Sequence, residues 1–388
     1  MDSLICEITE RIVSASATRK PLRIRAGGSK DFYGESLQGE LLDLSALSGI
    51  ISYEPSELVV TVRAGTPLTE LEAALAERSQ CLAFEPPHFG SPGARATCGG
   101  MVAAGLGGPS RASVGAVRDY VLGVKLLNGR GELLTFGGQV IKNVAGYDVS
   151  RLMVGALGTL GVLTEISLKV LPLAAAEATL MCMGLAQSQA LDLLNRWGGQ
   201  PLPLNASCCL FDDTASPALD YLFVRLRGAA AAVQAACPRM IADVQAAGGN
   251  AVTLDNAQAA ADWDALRDQT LPFFKPPAPE LALWRLSVPQ TTPVLALPYA
   301  QFIEWHGGQR WLWAPLAAQA PLRQVAAAVG GSVALFRAPA ANNAELVARF
   351  SPLNATLTGI HQRLKAEFDP AGIFNRDRMY PDANPARP

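Results

Sequence analysis

The sequence predicts an α+β protein of two domains, and three observations carry that expectation. Near the N-terminus several short strands follow one another before a helix, a β-β-β-turn-α order that replaces the β-G-x-G-x-x-G-α order of a dinucleotide fold. Between about residues 177 and 350, alanine-rich helices alternate with short strands, the pattern of helices packed on an antiparallel sheet. Two stretches ahead of the midpoint, Thr97–Gly108 and Lys142–Leu171, are dense in glycine. Where a residue has no Cβ, a backbone can approach a large flat ligand and its phosphates closely. The chain has 388 residues, enough for two domains with a sizeable core.

The elements follow in order. The N-terminal MDSLICEITERIV repeats apolar residues at helical spacing (Leu4, Ile5, Ile8, Ile12) and carries acids, so it predicts an amphipathic helix and not a secretory signal. Leu22–Arg25 alternates as a strand and runs into Ala26-Gly27-Gly28. Leu41–Leu44 and Ile50–Tyr53 predict two more strands. Leu58–Val62 is β-branched and bounded by Pro55 and Gly65. Thr66 suits an N-cap, Pro67 the first helical position, and Glu70 the first turn of a helix running through Leu71 and Leu75. Tyr120–Leu127 and Leu133–Phe136 predict a hairpin about Asn128-Gly129. Leu160–Val170 is the next strand region, and Pro172–Glu177 marks a domain boundary. Beyond it, helices are expected at Ala186–Trp197 and Gly228–Ala247. Strands are expected near Thr179–Ala186 and at Ser207–Leu210, Tyr221–Leu226, Leu281–Val288, Trp311–Ala314 and Ser332–Phe336. The proline-rich Leu271–Pro279 cannot be a helix. A last helix is expected over about His361–Phe368.

Composition narrows the function. The apolar share is 49%, the charged share 17%, and the formal charge −2, so nothing invites nucleic acid. No apolar run approaches the roughly 20 residues of a membrane span. Seven cysteines are scattered without a C-x-x-C, which argues against iron–sulfur and structural zinc ligation and fits a reducing compartment. The adjacent Cys208-Cys209 is either a vicinal redox pair or two small apolar strand residues, and the second reading is favoured. No metal site is expected.

The glycine motifs carry a resemblance. The Arg25–Gly34 stretch RAGGSKDFYG, with Ala26-Gly27-Gly28-Ser29 at its start, follows a strand and holds a tight turn whose successive N–H groups can form an anion-binding nest, or it is a plain structural turn. Thr97-Cys98-Gly99-Gly100-Met101 extends to Gly105, and its bland alternative is close helix packing. Gly161-Val162-Leu163-Thr164 offers backbone groups, or is an ordinary buried strand. Taken in order with the hairpin, the cap and the C-terminal Asp369-Pro370-Ala371-Gly372-Ile373-Phe374-Asn375, these segments resemble the PCMH-type FAD-binding domain of the vanillyl-alcohol oxidase superfamily. The wording of KNVAGYD, SRLMVG and GVLTEISLKVLP is similar to the FAD-binding E subunit family of glycolate oxidases (glycolate dehydrogenases).

The resemblance implies a two-subdomain FAD-binding domain over 1–173, a cap or partner-contact domain over 174–350, and a segment 351–388 that returns to the FAD domain. It implies that Gly27, Gly28 and Ser29 serve the pyrophosphate, and that Thr97, Gly99, Gly100 and Gly105 lie along the flavin. It implies that Gly161 and Val162 contact the cofactor through their backbone, and that Asn375 lies near the ring. Relatives with covalent flavin often carry His at the position of Ser29, so FAD here is expected to be non-covalent. Two departures remove polar contacts: Met101 stands where many relatives have Asn, and Ala156-Leu157 stands where relatives often have Ser-Glu.

Oxidising a 2-hydroxy acid needs a hydride acceptor, a base and a cationic grip on the carboxylate. His88, His306 and His361 are the three histidines, and none has the spacing of the family's cap metal site. His88 either faces the flavin or orders its loop, the second being favoured; His306 is expected to sit in a turn, and His361 to open the last helix, exposed. Arg285 and Arg310 are candidate carboxylate clamps, with a structural ion pair or a subunit contact as the favoured reading. Trp284, Trp305, Trp311 and Trp313 are candidates for a partner interface, with core packing as the default. No catalytic base is identified. The resemblance therefore implies an accessory FAD-binding subunit of a complex that oxidises glycolate to glyoxylate. Its partners would be a flavoprotein dehydrogenase subunit and an iron–sulfur subunit passing electrons toward quinone. The expected location is cytoplasmic, with peripheral attachment to the inner face of the membrane through partners as a variant. The alternatives are a stand-alone FAD-dependent 2-hydroxy-acid dehydrogenase and a scaffold that has lost FAD.

Overall fold

Val59–Arg63 is a strand because four of its five residues are β-branched and fit a pleated surface. In the computed structural model it lies inside a five-stranded sheet, and residues 3–138, 148–212, 218–339 and 347–381 are described. The KNVAGYD stretch falls outside these except for Asp148, which accepts a hydrogen bond from Arg151 N and caps the short helix Val149–Leu152.

The chain divides into two units. The first comprises Met1–Leu106, Ala116–Pro172 and Ala348–Pro388. Its main sheet runs Ile50–Glu54, Val59–Arg63, Val162–Lys169, Val121–Leu127, Leu133–Gly137, antiparallel throughout. A separate parallel pair joins Leu22–Arg25 to Glu40–Asp43. The helix Ser3–Thr18 buries Ile5, Ile8, Ile12 and Ala15 against Leu22, Leu42, Leu127, Val162 and Phe374. Its polar face is left to water, as the apolar spacing requires.

Local chemistry corrects three details. Thr66 does not cap the next helix. Its hydroxyl accepts from Gly49 N at 3.0 Å and donates to Gly49 O at 3.1 Å, so Pro67 becomes the cap and Leu68–Ala76 the helix. Asn128-Gly129 does not form a two-residue turn, since Leu127 pairs with Leu133 across five residues. The Asn128 side chain accepts from Arg130 N and Glu132 N, and the positive φ falls at Gly131. The last helix begins earlier than expected, at Ala355, because Asn354 accepts from Leu357 N as its cap. His361 is therefore exposed within the helix and does not open it.

The second unit comprises Gly107–Gly115 and Leu173–Val347. Its eight-stranded sheet is antiparallel throughout, in the order Asn250–Thr253, Ala176–Met183, Leu219–Gly228, Leu204–Asp212, Phe302–Glu304, Gln309–Ala314, Ala282–Ser287, Ser332–Arg337. The helices Gln187–Gly198 and Ala230–Ala246 cover one part of one face through Leu191, Trp197 and Met240. Gln319–Ala328 covers another part through Leu322 and Ala326. The segment Gly107–Gly115, assigned by sequence to the first domain, groups with this unit. Ser113 Oγ lies 2.9 Å from His306 Nε2, Trp305 Nε1 donates to Gly108 O, and the Arg111 guanidinium stacks 4.3 Å from the Trp305 ring centroid.

Arg310 is fully buried and makes no ion pair among the described residues. Its guanidinium donates to Gly307 O, Pro293 O and Thr292 O at 3.0, 3.2 and 2.7 Å. It therefore braces a turn and is not a substrate clamp. Arg310→Met removes the charge but leaves three carbonyls without their donor. The expected loss is about 3 kcal/mol, a Tm lower by roughly 10 °C for a unit of this size, read by thermal unfolding.

Candidate cofactor site

The site grows from the end of strand Leu22–Arg25. Gly28 has φ +73°, a left-handed conformation that turns the chain so that consecutive amides can face one concavity. A Cβ on Gly28 would lie 2.0 Å from Arg25 Nη2, so the guanidinium covers the place where a side chain would stand. Arg25 Nε donates to Asp31 Oδ2 at 2.7 Å and is held there. Gly27 is glycine for a different reason: its Cβ would lie 1.9 Å from Arg95 O, and Arg95 N donates to Gly27 O. Ser29 is buried, and Lys30 Nζ donates to its hydroxyl at 3.2 Å. The loop thus joins a left-handed glycine, a buried hydroxyl and two cations.

The second glycine stretch forms the helix Cys98–Ala104, with Thr97 Oγ1 accepting from Gly100 N. Gly99 abuts Ala64, where a Cβ would sit 2.9 Å from its carbonyl oxygen. Gly105 ends the helix with φ +63°, as a left-handed C-cap favours glycine. Gly100 differs: apart from its own cap oxygen at 3.2 Å, nothing stands within 4 Å of a Cβ there. Gly155, at φ +81°, is equally open and donates to Val102 O. Small residues here keep a space that the chain itself does not fill.

The remaining candidates have packing roles of their own. A Cβ on Gly161 would meet Leu126 Cδ1 at 2.7 Å and Leu127 O at 2.9 Å. The Val162 side chain is fully buried in the core of the first unit. Asn375 commits its carboxamide to the chain, accepting from Ile24 N at 2.8 Å and donating to Leu157 O at 2.7 Å. His88 Nε2 lies 2.9 Å from Glu72 Oε2, which ties the 84–90 loop to the helix Leu68–Ala76. Arg25, Lys30 and Asp31 lie in the Arg25–Gly34 stretch that the sequence singles out, but only the fold gives them individual roles beside the glycines.

Residues 5–137 match the FAD binding domain family. The chain is 42% identical to glycolate oxidase subunit GlcE of Escherichia coli over 373 residues, covering 96% of each chain. The chain belongs to the GlcE family. Glycolate oxidase subunit GlcD of Bacillus subtilis is 30% identical over 179 residues, which is 46% of this chain and 37% of that one. Alkyldihydroxyacetonephosphate synthase shares the fold with a TM-score of 0.68 at 13% identity, covering 95% of this chain and 74% of that one.

The donor set fits an FAD. The loop carries a buried hydroxyl and two cations, groups whose chemistry suits a pyrophosphate, and Gly100 and Gly155 leave open the space that a Cβ would fill. No histidine stands at Ser29 to bond the flavin covalently.

The second unit carries separate buried chemistry. Strand alternation sends Cys208 and Cys209 to opposite faces, with Cys208 opposite Glu304 and Cys209 in the helix-side core. Burial pushes the Cys209 thiol up to about 12 and Cys208 well up too, so the pair behaves as two apolar residues. Glu304 is buried, and its Oε2 accepts from Gln309 Nε2 at 3.0 Å and from Trp311 Nε1. His306 is buried in a left-handed turn at φ 55°, between Ser113 and the Ser207 hydroxyl at 2.9 Å. Trp284, Trp305 and Trp311 are buried, which gives them core roles and removes them as a partner surface. Trp313 Nε1 donates to Phe273 O. Arg285 packs its guanidinium 5.6 Å from the centroid of Phe336.

Proposed function

We propose that this chain is the FAD-binding accessory subunit of a complex that oxidises glycolate to glyoxylate. Its partners would be a flavoprotein dehydrogenase subunit and an iron–sulfur subunit that pass electrons to an acceptor such as quinone. The match to the E. coli subunit along almost the whole of both chains carries this reading. Non-covalent FAD would rest with its pyrophosphate on Gly27, Gly28 and Ser29. Arg25 and Lys30 would supply countercharge there. Thr97, Gly99, Gly100 and Gly105 would border the flavin, Gly161 and Val162 would present backbone, and Asn375 would fix the strand that bears the loop. When bound, FAD supplies an acceptor for a hydride or for electrons one at a time.

The residues favour an accessory role over lone-chain dehydrogenation. His88 is engaged with Glu72 and His306 with two serines, while Arg310 is committed to backbone carbonyls. Among the described residues, no three His, Cys, Asp or Glu side chains gather as a metal site. None of their helices is long and apolar enough to cross a membrane.

The test is a visible spectrum of the purified chain, followed by anaerobic glycolate. A flavin spectrum that glycolate does not bleach is the expected result. Bleaching would make the single chain a dehydrogenase. Absence of flavin even after reconstitution with partners would make it a scaffold.

A further inference from the structure

After the helix Ala355–Phe368, the chain crosses the strand that leads into the glycine loop. Leu22 N donates to Ile373 O at 2.7 Å, Asn375 N donates to Leu22 O at 3.0 Å, and Ile24 N donates to the Asn375 side chain. Three residues on, Arg378 turns toward the segment that follows Gly27-Gly28-Ser29. The residue is 5% exposed. Its Nη2 donates to Asp31 O at 2.8 Å and to Tyr33 O, and its Nη1 donates to Glu35 O. Its own carbonyl accepts from Glu35 N at 3.0 Å. One guanidinium therefore gathers three alternate carbonyls, a task suited to its planar fork of donors and not to a single ammonium.

The consequence reaches the loop through Asp31. Asp31 N donates to Gly28 O at 3.2 Å, and its carboxylate holds Arg25 Nε at 2.7 Å. Arg25 in turn covers the side-chain position of Gly28. Movement of Asp31 would release both the turn and the cation.

We infer that Arg378 is a positioning residue for the cofactor loop, presenting Gly28 and Arg25 to the FAD pyrophosphate by fixing Asp31. This rests on the reading of Gly27–Ser29 as the pyrophosphate site. Burial lowers the Arg378 guanidinium to about 10, so it remains a cation at neutral pH.

The experiment is FAD titration of the full chain by flavin fluorescence, with amide exchange read at residues 27–35. For Arg378→Met, FAD binding is expected to weaken at least tenfold, with faster exchange confined to that segment. Arg378→Lys should not rescue it. Arg376→Ala serves as the control, because Arg376 donates to Gly372 O and Arg19 O, away from the loop. It should leave FAD binding unchanged. Asp31→Asn combined with Arg378→Met should weaken binding little more than either change alone, whereas a merely structural arginine would give independent losses. Unchanged FAD binding in Arg378→Met overturns the inference. If that variant does not fold, Arg378→Gln decides in the same way. Gly28→Asp separates the two levels: if it too leaves FAD binding intact, the loop assignment fails, and if it alone abolishes binding, only the role of Arg378 fails.

Discussion

Gly28→Asp is expected to yield a folded chain that purifies without flavin. Gly28 sits at φ +73°, where a side chain costs roughly 1 kcal/mol. The new Cβ would also occupy the place of Arg25 Nη2, 2.0 Å away, and push the guanidinium out. With the pyrophosphate on this loop as proposed, the introduced carboxylate would face the phosphates from the position that a cation had covered. Displacement and charge reversal act in the same direction, so the FAD Kd should rise at least about a hundredfold, or about 3 kcal/mol. Gly330→Asp is the matched control. Gly330 also has a left-handed φ of +74° and open space around it, but it lies in the second unit. It carries the same backbone strain and the same charge, and should retain flavin. Equal flavin content in both variants would place the pyrophosphate elsewhere.

The part of this site that is legible in the sequence is the part written locally. A β-branched run bounded by Pro55 and Gly65 forms its strand, with the N-terminal bound moved from Leu58 to Val59 because Leu58 adopts φ 57°. The three isoleucines of the N-terminal helix are buried as their spacing requires. What the sequence hides is long-range hydrogen bonding. Asn375 reads as a motif residue, yet its partners Ile24 and Leu157 lie 351 and 218 positions away. Arg378 stands in a polar Arg-Asp-Arg stretch that resembles an exposed tail until Asp31, Tyr33 and Glu35 are brought to it. Thr66 has every mark of a helix cap, but Gly49 offers its hydroxyl both a donor and an acceptor. The helix Asn256–Arg267 escaped notice although its signals are present: Asp255 accepts from Ala257 N and Gln258 N, and Ala259, Trp263 and Leu266 fall on one buried face. Its alanines dilute the apolar period on which helix recognition rests.

Glu304→Gln is expected to change how the stability of the second unit depends on pH, and the direction follows from two opposed groups. Burial raises Glu304 from 4.5 to about 7, against the smaller pull of Trp311 and Gln309. Burial lowers His306 from 6.5 to about 4. Between pH 4.5 and 6.5 the unfolded chain holds a proton on the histidine and none on the glutamate, whereas the folded chain holds one on the glutamate and none on the histidine. Proton counts match, so these two residues together give stability no slope in that window. Remove Glu304 and the histidine acts alone. Its depressed value means that stability is full above 6.5 and falls as pH drops toward about 4. With roughly 1.4 kcal/mol for each pH interval of one between the unfolded and folded values, each group contributes on the order of 3 kcal/mol over its window. The introduced carboxamide would preserve a carbonyl for the Trp311 indole, so packing should change little. Unfolding of parent and variant at several pH values reads the result. The variant should gain stability relative to the parent as pH rises from 4.5 to 7, by on the order of 3 kcal/mol. His306→Gln should leave the opposite trend, with stability falling as pH rises through the Glu304 window. Parallel curves for parent and both variants would mean that the two side chains titrate as they do in water, and that their burial carries no electrostatic cost.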